Sequence, residues 1–281
     1  MIDWREKMSC IVSFVNMKGG VGKSTLVVNL AWTLSFYRDV LVVDLDPQSN
    51  ASQYLLGLER YKDLLKKEKA TILNVFEQNP PAALVGRAKK QLSVSDVICK
   101  LDEGLDLIPA SLDLSWTLKD PKGKENLLAG FLTTKCKNYQ VILIDCPPTE
   151  SIFTTAAYLA SRYVIVPVKP DFLSTIGLPL LKRSIDEFHS AYGQRGLEIA
   201  GIIFNNVRSN SAEHRRSKKD VAEVASQHGW YIFNNEMAES ESYAKAARLG
   251  KPLMQTPYAR RKLKGTFDEL VGEFLGRVGL G

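Results

Sequence analysis

The stretch best suited to chemistry combines glycines, two lysines and two hydroxyl groups, and reads Met-Lys-Gly-Gly-Val-Gly-Lys-Ser-Thr over residues 17–25. Glycine permits positive φ and lets backbone N–H groups approach an anion closely, so such a loop can cradle phosphate. Lys23 is placed to reach the β- and γ-phosphates of a nucleotide, and Ser24 to bind a bridging Mg²⁺. Thr25 can add a contact to the α-phosphate. We call residues 17–25 the P-loop.

A P-loop needs a strand before it and a helix after it. The apolar run 10–16 predicts the strand, and the run 24–37 predicts the helix. The strict pattern would place a glycine at position 17, where this sequence has Met17. The context predicts a nucleoside triphosphate site all the same.

Two further apolar runs end in aspartates. Residues 40–43 lead into Asp44-Leu-Asp46-Pro-Gln, and residues 139–144 lead into Asp145-Cys-Pro-Pro. Both read as buried parallel strands, and ligands of open α/β sheets bind at the carboxyl ends of such strands. Asp145 is suited to bind Mg²⁺ through water, because Mg²⁺ keeps part of its hydration shell. Taken alone, the Asp-x-Asp-Pro pattern is also typical of a turn or a helix cap.

The order of elements predicts the fold. Strand-like and helix-like segments alternate along the chain, which favours an α/β fold with a doubly wound, mostly parallel sheet and helices on both faces. The 281 residues, 45% of them hydrophobic, fit one domain over 1–281. We expect a nucleotide-binding core at 10–204 and a basic C-terminal part at 205–281.

The cysteines and the apolar runs exclude other classes. The four cysteines are scattered without C-x-x-C spacing, so the sequence supports neither a disulfide framework nor a zinc site. No apolar run approaches the roughly 20 residues of a membrane span. We therefore expect a cytoplasmic protein.

A lysine directly before Gly-Gly-Val-Gly-Lys-Ser resembles the deviant Walker A motif of the ParA/MinD ATPases. The resemblance implies that Lys18 is the signature lysine, which reaches the partner's phosphates in an ATP-dependent sandwich dimer. The Asp44–Asp46 cluster resembles the family's Walker A′ motif. In that motif Asp44 would lie near Mg²⁺ and its waters, and Asp46 would help to position the attacking water. Asp145 matches the Walker B run I-D-x-P-P.

The resemblance gives a complete set of expected site residues, with ATP and Mg²⁺ as cofactors. The expected catalytic residues are Lys18, Lys23 and Asp46. The expected metal-binding residues are Ser24, Asp44 and Asp145. Nucleotide contacts are expected from Lys18, Gly19, Gly20, Val21, Gly22, Lys23, Ser24, Thr25 and Asn205. Relatives contact the adenine ring at the position of Asn205, although an asparagine there is equally compatible with a simple turn.

The charge distribution suggests a partner. The net charge is +6, and many basic residues lie in the C-terminal part, which fits binding to nucleic-acid phosphate. ParA proteins bind DNA without sequence preference as ATP dimers, and the alternative is a solvated basic face. The candidate DNA-binding residues are Arg215, Arg216, Lys218, Lys219, Lys245, Arg248, Arg260 and Arg261.

The resemblance implies an ATPase that segregates or positions DNA or another cargo. It would form an ATP-dependent homodimer, bind DNA nonspecifically on the nucleoid and be stimulated by a ParB-like adaptor. The alternatives are a MinD-like membrane-associated ATPase, and an ATP-dependent transferase or metal-cluster carrier on the same fold. The amphipathic tail 265–278 has a largely acidic polar face. It therefore predicts a packing helix rather than a membrane helix.

Overall fold

The computed structural model describes residues 9–77, 93–102, 104–193 and 196–281. Seven strands form one sheet in the order β3-β4-β2-β5-β1-β6-β7. Neighbouring strands are parallel throughout this order, except that β3 runs antiparallel to β4. In chain order the strands are β1 Cys10–Phe14, β2 Val40–Asp44, β3 Cys99–Asp102, β4 Leu105–Ile108, β5 Val141–Asp145, β6 Tyr163–Val168 and β7 Glu198–Phe204.

Helices connect the parallel strands. They are α1 Lys23–Leu34, α2 Asn50–Lys66, α3 Leu73–Phe76, α4 Val94–Val97, α5 Leu127–Lys135, α6 Ile152–Ala160, α7 Phe172–Tyr192, α8 Ala212–Gln227, α9 Glu241–Arg248 and α10 Arg261–Arg277. Short 3₁₀ segments span Leu112–Lys119 and Leu253–Gln255.

Each face of the sheet has its own apolar core, because alternate strand residues point to opposite faces. Val42 and Leu143 pack with α1, α2, α9 and α10. Leu41 and Ile144 pack with α5, α6, α7 and α8. Coverage on both sides explains why the central strands are continuously apolar in sequence. The predicted doubly wound α/β fold is confirmed.

The tail predicted to be a packing helix is α10. Its residues Phe267, Leu270 and Phe274 are buried, and the helix packs against α1 on the first face. The apolar side of α10 is thus already occupied by the protein's own core. Among the described residues, no helix combines the length and apolarity needed to cross a bilayer.

Candidate nucleotide and magnesium site

The P-loop follows β1 and leads directly into α1. Gly20 and Gly22 have φ of 75° and 80°, a left-handed conformation that favours glycine. Gly22 also occupies the N-cap of α1, and no side chain caps the first turn there. The first N–H groups of α1 are therefore available to an anion at the helix N-terminus.

Asn205 binds the P-loop from two strands away, at the same carboxyl end of the sheet. Its side-chain amide, just beyond β7, donates hydrogen bonds to the carbonyls of Val21 at 2.8 Å and Gly22 at 3.1 Å. A Cβ added at Gly22 would lie 2.6 Å from the Asn205 Nδ2. A side chain at position 22 would therefore be strained at this φ and would displace the Asn205 amide. With both amide protons directed at the loop, Asn205 Oδ1 remains an acceptor, and its contact with a base stays a prediction.

Of the two P-loop lysines, Lys23 points into the loop and Lys18 points away from it. The buried Lys23 Nζ donates to the Asn16 carbonyl at 3.3 Å, inside the loop. Burial lowers the pKa of Lys23, against the opposing charge of Asp145. Lys18 instead forms an ion pair with Asp171, the N-cap residue of α7, at the margin of the loop. Only Lys23 lies where it can serve its own phosphate cradle.

The acidic residues Asp44 and Asp145 lie side by side. They are register partners at the carboxyl ends of β2 and β5, and both are fully buried. Asp44 accepts hydrogen bonds from the backbone N–H of Asp46 at 3.1 Å and of Ser52 at 2.8 Å, and from the Ser52 hydroxyl at 2.7 Å. In contrast, neither carboxylate oxygen of Asp145 has a hydrogen-bond partner among the described residues.

Burial raises the pKa of both carboxyls. For Asp44, the hydrogen bonds from Ser52 and Asp46 oppose this rise without cancelling it. For Asp145, the neighbouring Asp44 adds to the effect of burial, while Ser24 and Lys23 oppose it. The Ser24 hydroxyl lies close enough to lower the pKa of Asp145 but makes no hydrogen bond of normal geometry with it. Two buried carboxyls and a nearby hydroxyl form a site that favours a cation.

These residues fit Mg²⁺ shared with a nucleotide. Mg²⁺ takes one or two carboxylates and completes its shell with water and phosphate oxygens. The described residues hold no group of three or more histidine, cysteine or acidic side chains able to form an all-protein metal site. Asp145 supplies an open carboxylate, Ser24 a hydroxyl and Asp44 a second acid beside them. The predicted metal-binding residues are therefore brought together.

Asp46 lies just beyond this pair, at the turn that leads into α2. It is buried, and its Oδ1 accepts a hydrogen bond from the Gln48 N–H at 2.9 Å. The alternative interpretation of Asp-x-Asp-Pro as a turn is thus correct for the backbone. The same turn keeps Asp46 at the edge of the sheet where β2 and β5 end, close enough for its charge to act on Lys23.

Three residues that touch this site were missed by sequence reasoning. Asn16 accepts from the Lys18 N–H at 2.8 Å through its Oδ1, Ser52 binds Asp44, and Asp171 binds Lys18. Only Asp171 had a local signal, since an aspartate directly before a helical run suits an N-cap, and its side chain indeed accepts from the Ser174 N–H at 3.1 Å. The other two contacts depend on the fold.

The candidate DNA-binding residues divide into two groups. Lys218 and Lys245 have acidic partners, Glu236 and Glu241 respectively. The rest are exposed and form no ion pair with another described residue: Arg215, Arg216 and Lys219 on α8, and Arg248, Arg260 and Arg261 around α9 and the start of α10. A β-bridge between Val207 and Ala238 brings the beginnings of α8 and α9 toward the same end of β7.

Three features together define a P-loop nucleotide-binding protein: a parallel sheet, a glycine loop that caps a helix, and aspartates at adjacent strand ends. Comparison with known proteins supports this class. Residues 9–199 match a protein-family model described as an AAA domain. The chain is 36% identical to the sporulation initiation inhibitor protein Soj of Bacillus subtilis, covering 88% of this chain and 91% of Soj. It is 31% identical to the chromosome partitioning protein ParA of Caulobacter vibrioides, covering 87% of this chain and 86% of ParA.

Solved structures show the same fold. A complex of a Cyanothece McdA variant with ATP superimposes with a TM-score of 0.78 at 24% identity, covering 96% of this chain and 97% of McdA. A plasmid partition protein from Borrelia burgdorferi gives a TM-score of 0.70 at 23% identity, covering 96% and 100%. The chain belongs to the ParA/Soj family of P-loop ATPases.

Proposed function

We propose that this ATPase is an ATP-dependent dimerisation switch that binds DNA nonspecifically and positions DNA or another large cargo. ATP with Mg²⁺ joins two subunits, the dimer associates with the nucleoid in the cytoplasm, and a ParB-like adaptor stimulates hydrolysis and release. The names of the relatives Soj and ParA, which describe chromosome partitioning, support this assignment.

The observation that carries the proposal is the position of Lys18. Its Nζ lies outside the cradle that holds Lys23 and is bound to Asp171 on α7. The side chains of Lys18 and Asp171 remain 21% and 27% exposed. An ion pair that holds this P-loop lysine outside its own cradle supports a role toward phosphates of a second subunit.

Exposed apolar residues on both sides of the site support a dimer that covers this edge of the sheet. Leu112 and Trp116 follow β4, and Phe172 and Leu173 follow β6. Their exposed fractions are 67%, 49%, 67% and 58%. Large apolar side chains around a polar centre are typical of an interface, because burying them in a partner is favourable.

Hydrolysis at this site needs no covalent intermediate. Bound Mg²⁺ would neutralise charge that develops on the transferred phosphoryl group. The P-loop N–H groups and Lys23 bind the phosphates, and Asp46 orients the attacking water. Lys18 of the partner subunit completes the charge stabilisation only in the dimer. Because Lys18 comes from the partner and the other groups from one subunit, hydrolysis would be slow in the monomer and faster in the dimer.

The exposed arginines support the DNA-binding step. Arg216 on α8, Arg248 at the end of α9, and Arg260 and Arg261 at the start of α10 lack acidic partners among the described residues. Each arginine that reaches a phosphate contributes mainly by releasing counterions, which makes binding sensitive to salt and insensitive to sequence. Dimerisation doubles the number of such contacts.

The test compares the wild type with Lys18→Ala in binding to random duplex DNA at two salt concentrations, without nucleotide, with ADP and with ATP–Mg²⁺. We expect salt-sensitive binding with ATP in the wild type, and a loss of about tenfold or more in the variant, because P-loop lysine contacts to phosphate are charge-assisted. Lys62→Ala, an exposed lysine on α2, is the matched control. Fluorescence anisotropy gives the affinity, and light scattering gives the mass of the ATP-bound species.

Equal DNA binding with and without ATP, or a Lys18→Ala variant that still dimerises, would refute the switch. Binding to anionic vesicles instead of DNA would support a MinD-like protein. The buried apolar side of α10 argues against that outcome.

A further inference from the structure

Ser52 lies in the first turn of α2, and its side chain is fully buried. It contacts Asp44 twice, through its backbone N–H at 2.8 Å and its hydroxyl at 2.7 Å, and both bonds go to Asp44 Oδ2. A serine buried in a helix is commonly satisfied by a carbonyl one turn earlier. Ser52 instead directs its hydroxyl at an acidic residue of the nucleotide site.

The direction of the Ser52 hydroxyl proton is fixed by a third contact. The Ser52 oxygen accepts a hydrogen bond from the Ala110 N–H at 2.8 Å, just beyond the end of β4. A hydroxyl has a single proton to donate. Since Ala110 supplies a proton and Asp44 can only accept one when ionised, the Ser52 proton points to Asp44. The Ala110 N–H, just after β4, therefore orients the Ser52 hydroxyl toward the Asp44 carboxylate.

Hydrogen bonds fix the orientation of the Asp44 carboxylate, whereas the neighbouring Asp145 has none within the described part of the chain. Asp44 Oδ1 is held by the Asp46 N–H at 3.1 Å and Oδ2 by Ser52, so rotation of the carboxylate would break hydrogen bonds at both oxygens. Hydrogen bonds to an ionised acceptor are roughly twice as strong as neutral ones. Asp145 has no such partners among the described residues. The Asp44 carboxylate is therefore fixed in orientation, while both oxygens of Asp145 are available to a ligand.

We propose that Ser52 is a positioning residue for the ATPase reaction: its hydroxyl, oriented by the Ala110 N–H, holds Asp44 in the orientation that receives the water shell of Mg²⁺. The inference rests on the proposed role of Asp44 beside the metal. Hydrogen-bonding partners of metal-site carboxylates typically affect metal affinity or activity by about 10–100-fold.

The experiment measures the affinity for a fluorescent ATP analogue as Mg²⁺ is varied, and again in EDTA. We expect Ser52→Ala to require about tenfold more Mg²⁺ for the half-maximal gain in affinity. Its affinity in EDTA should remain that of the wild type, since the P-loop is unchanged, which also reports that the variant is folded. Ser184→Ala removes another buried helical hydroxyl, bonded to Tyr158 at 3.2 Å, and should leave the Mg²⁺ dependence unchanged.

A double-mutant cycle with Asp44→Asn separates positioning from general packing. If Ser52 acts through Asp44, adding Ser52→Ala to Asp44→Asn changes the Mg²⁺ dependence no further. Additive effects, or an unchanged Mg²⁺ requirement in Ser52→Ala, would overturn the proposal. Wild-type binding that does not depend on Mg²⁺ would instead overturn the metal assignment of Asp44 itself.

Discussion

At the scale of single residues, the site contains groups that are costly in the nucleotide-free protein. Asp145 is buried with no hydrogen-bond partner among the described residues, beside Asp44 on the next strand. An unpaired buried carboxylate opposes folding unless it is protonated or bound to a cation. We therefore expect Mg²⁺ bound beside Asp145 to stabilise the folded protein.

The buried acid predicts a dependence of stability on pH. Because burial raises the pKa of Asp145 above its unfolded value, its contribution to stability is complete below the ordinary carboxyl range and is lost as pH rises through the folded pKa. The cost is about 1.4 kcal/mol for each unit of the shift. Asp145→Asn should therefore raise the melting temperature of the nucleotide-free protein at alkaline pH. The melting temperature of the variant should also fall less steeply as pH rises.

Differential scanning calorimetry from mildly acidic to alkaline pH checks this prediction, with Asp63→Asn on the exposed surface of α2 as the control. A steeper decline in Asp145→Asn than in the wild type would contradict it. With ATP and Mg²⁺ present, the order should reverse, because only the wild type gains the ion.

The ion pair of Lys18 with Asp171 predicts a restraint on dimerisation. Burial alone would raise the pKa of Asp171, but Lys18 and Ser174 outweigh it and lower that pKa. The interaction is therefore favourable in the monomer and is broken when Lys18 leaves. Asp171→Asn keeps an N-cap residue for α7. It should promote ATP-dependent dimerisation up to about fivefold, the effect of a partly exposed pair worth up to ~1 kcal/mol.

Sedimentation velocity over a range of protein concentrations measures this equilibrium. The exposed pair of Lys182 with Asp186, also on α7, provides the matched control through Asp186→Asn. Weaker dimerisation in Asp171→Asn would show that Asp171 assists Lys18 in the dimer rather than retaining it in the monomer.

At the scale of elements, two glycines join α2 to the turn after α9. Gly57 interrupts α2 with φ of 71° and ψ of 160°, and Gly250 has φ of 62°. A Cβ on Gly250 would lie 2.2 Å from the Gly57 Cα, which is too close for any side chain. The backbones of the two elements are thus in direct contact at this point.

Gly250→Ala should lower the free energy of unfolding by more than about 1 kcal/mol, since it adds both strain at positive φ and a steric clash. Gly265→Ala, inside α10 where a Cβ meets nothing within 4 Å, should raise it by about 0.5–1 kcal/mol through helix propensity. Urea unfolding distinguishes the two. Equal effects would show that the Gly57–Gly250 contact relaxes easily.

The elements were largely predictable from sequence, and their long-range contacts were not. The apolar runs ending in Asp44 and Asp145 predicted β2 and β5, because strands buried on both faces are apolar throughout. The helix predicted to reach residue 37 ends at Leu34. The bonds of Asn205 to the P-loop and of Ser52 to Ala110 join distant parts of the chain. No local pattern encodes them, since they exist only once the sheet order is set.

At the scale of the whole molecule, the two ends of the sheet differ in what they expose. The carboxyl end carries the nucleotide site together with Trp116 and Phe172, while the amino end exposes Phe36 and Tyr37 after α1. Phe36 and Phe172 have nearly equal exposure, at 68% and 67%. They therefore provide a comparison of two equally exposed phenyl rings at opposite ends of the sheet.

Phe172→Ala should weaken the ATP-dependent dimer about tenfold, the effect of removing one interface anchor worth more than about 1 kcal/mol. Phe36→Ala should leave it unchanged, since Phe36 lies at the amino end of the sheet, opposite the nucleotide site. Light scattering over a dilution series measures both. If the Phe36 variant dissociates and the Phe172 variant does not, the dimer uses the opposite end of the sheet.

The contact of Lys18 with the start of α7 has a mechanical consequence. Its 21 residues give α7 a length of about 30 Å, with Pro179 inside the helix, and it lies against α8, which carries Arg215, Arg216 and Lys219. If Lys18 exchanges Asp171 for a phosphate of a second subunit, α7 loses the ion pair at its N-cap while its packing against α8 remains. The start of α7 would then connect nucleotide binding to the exposed basic residues of α8 through direct helix packing.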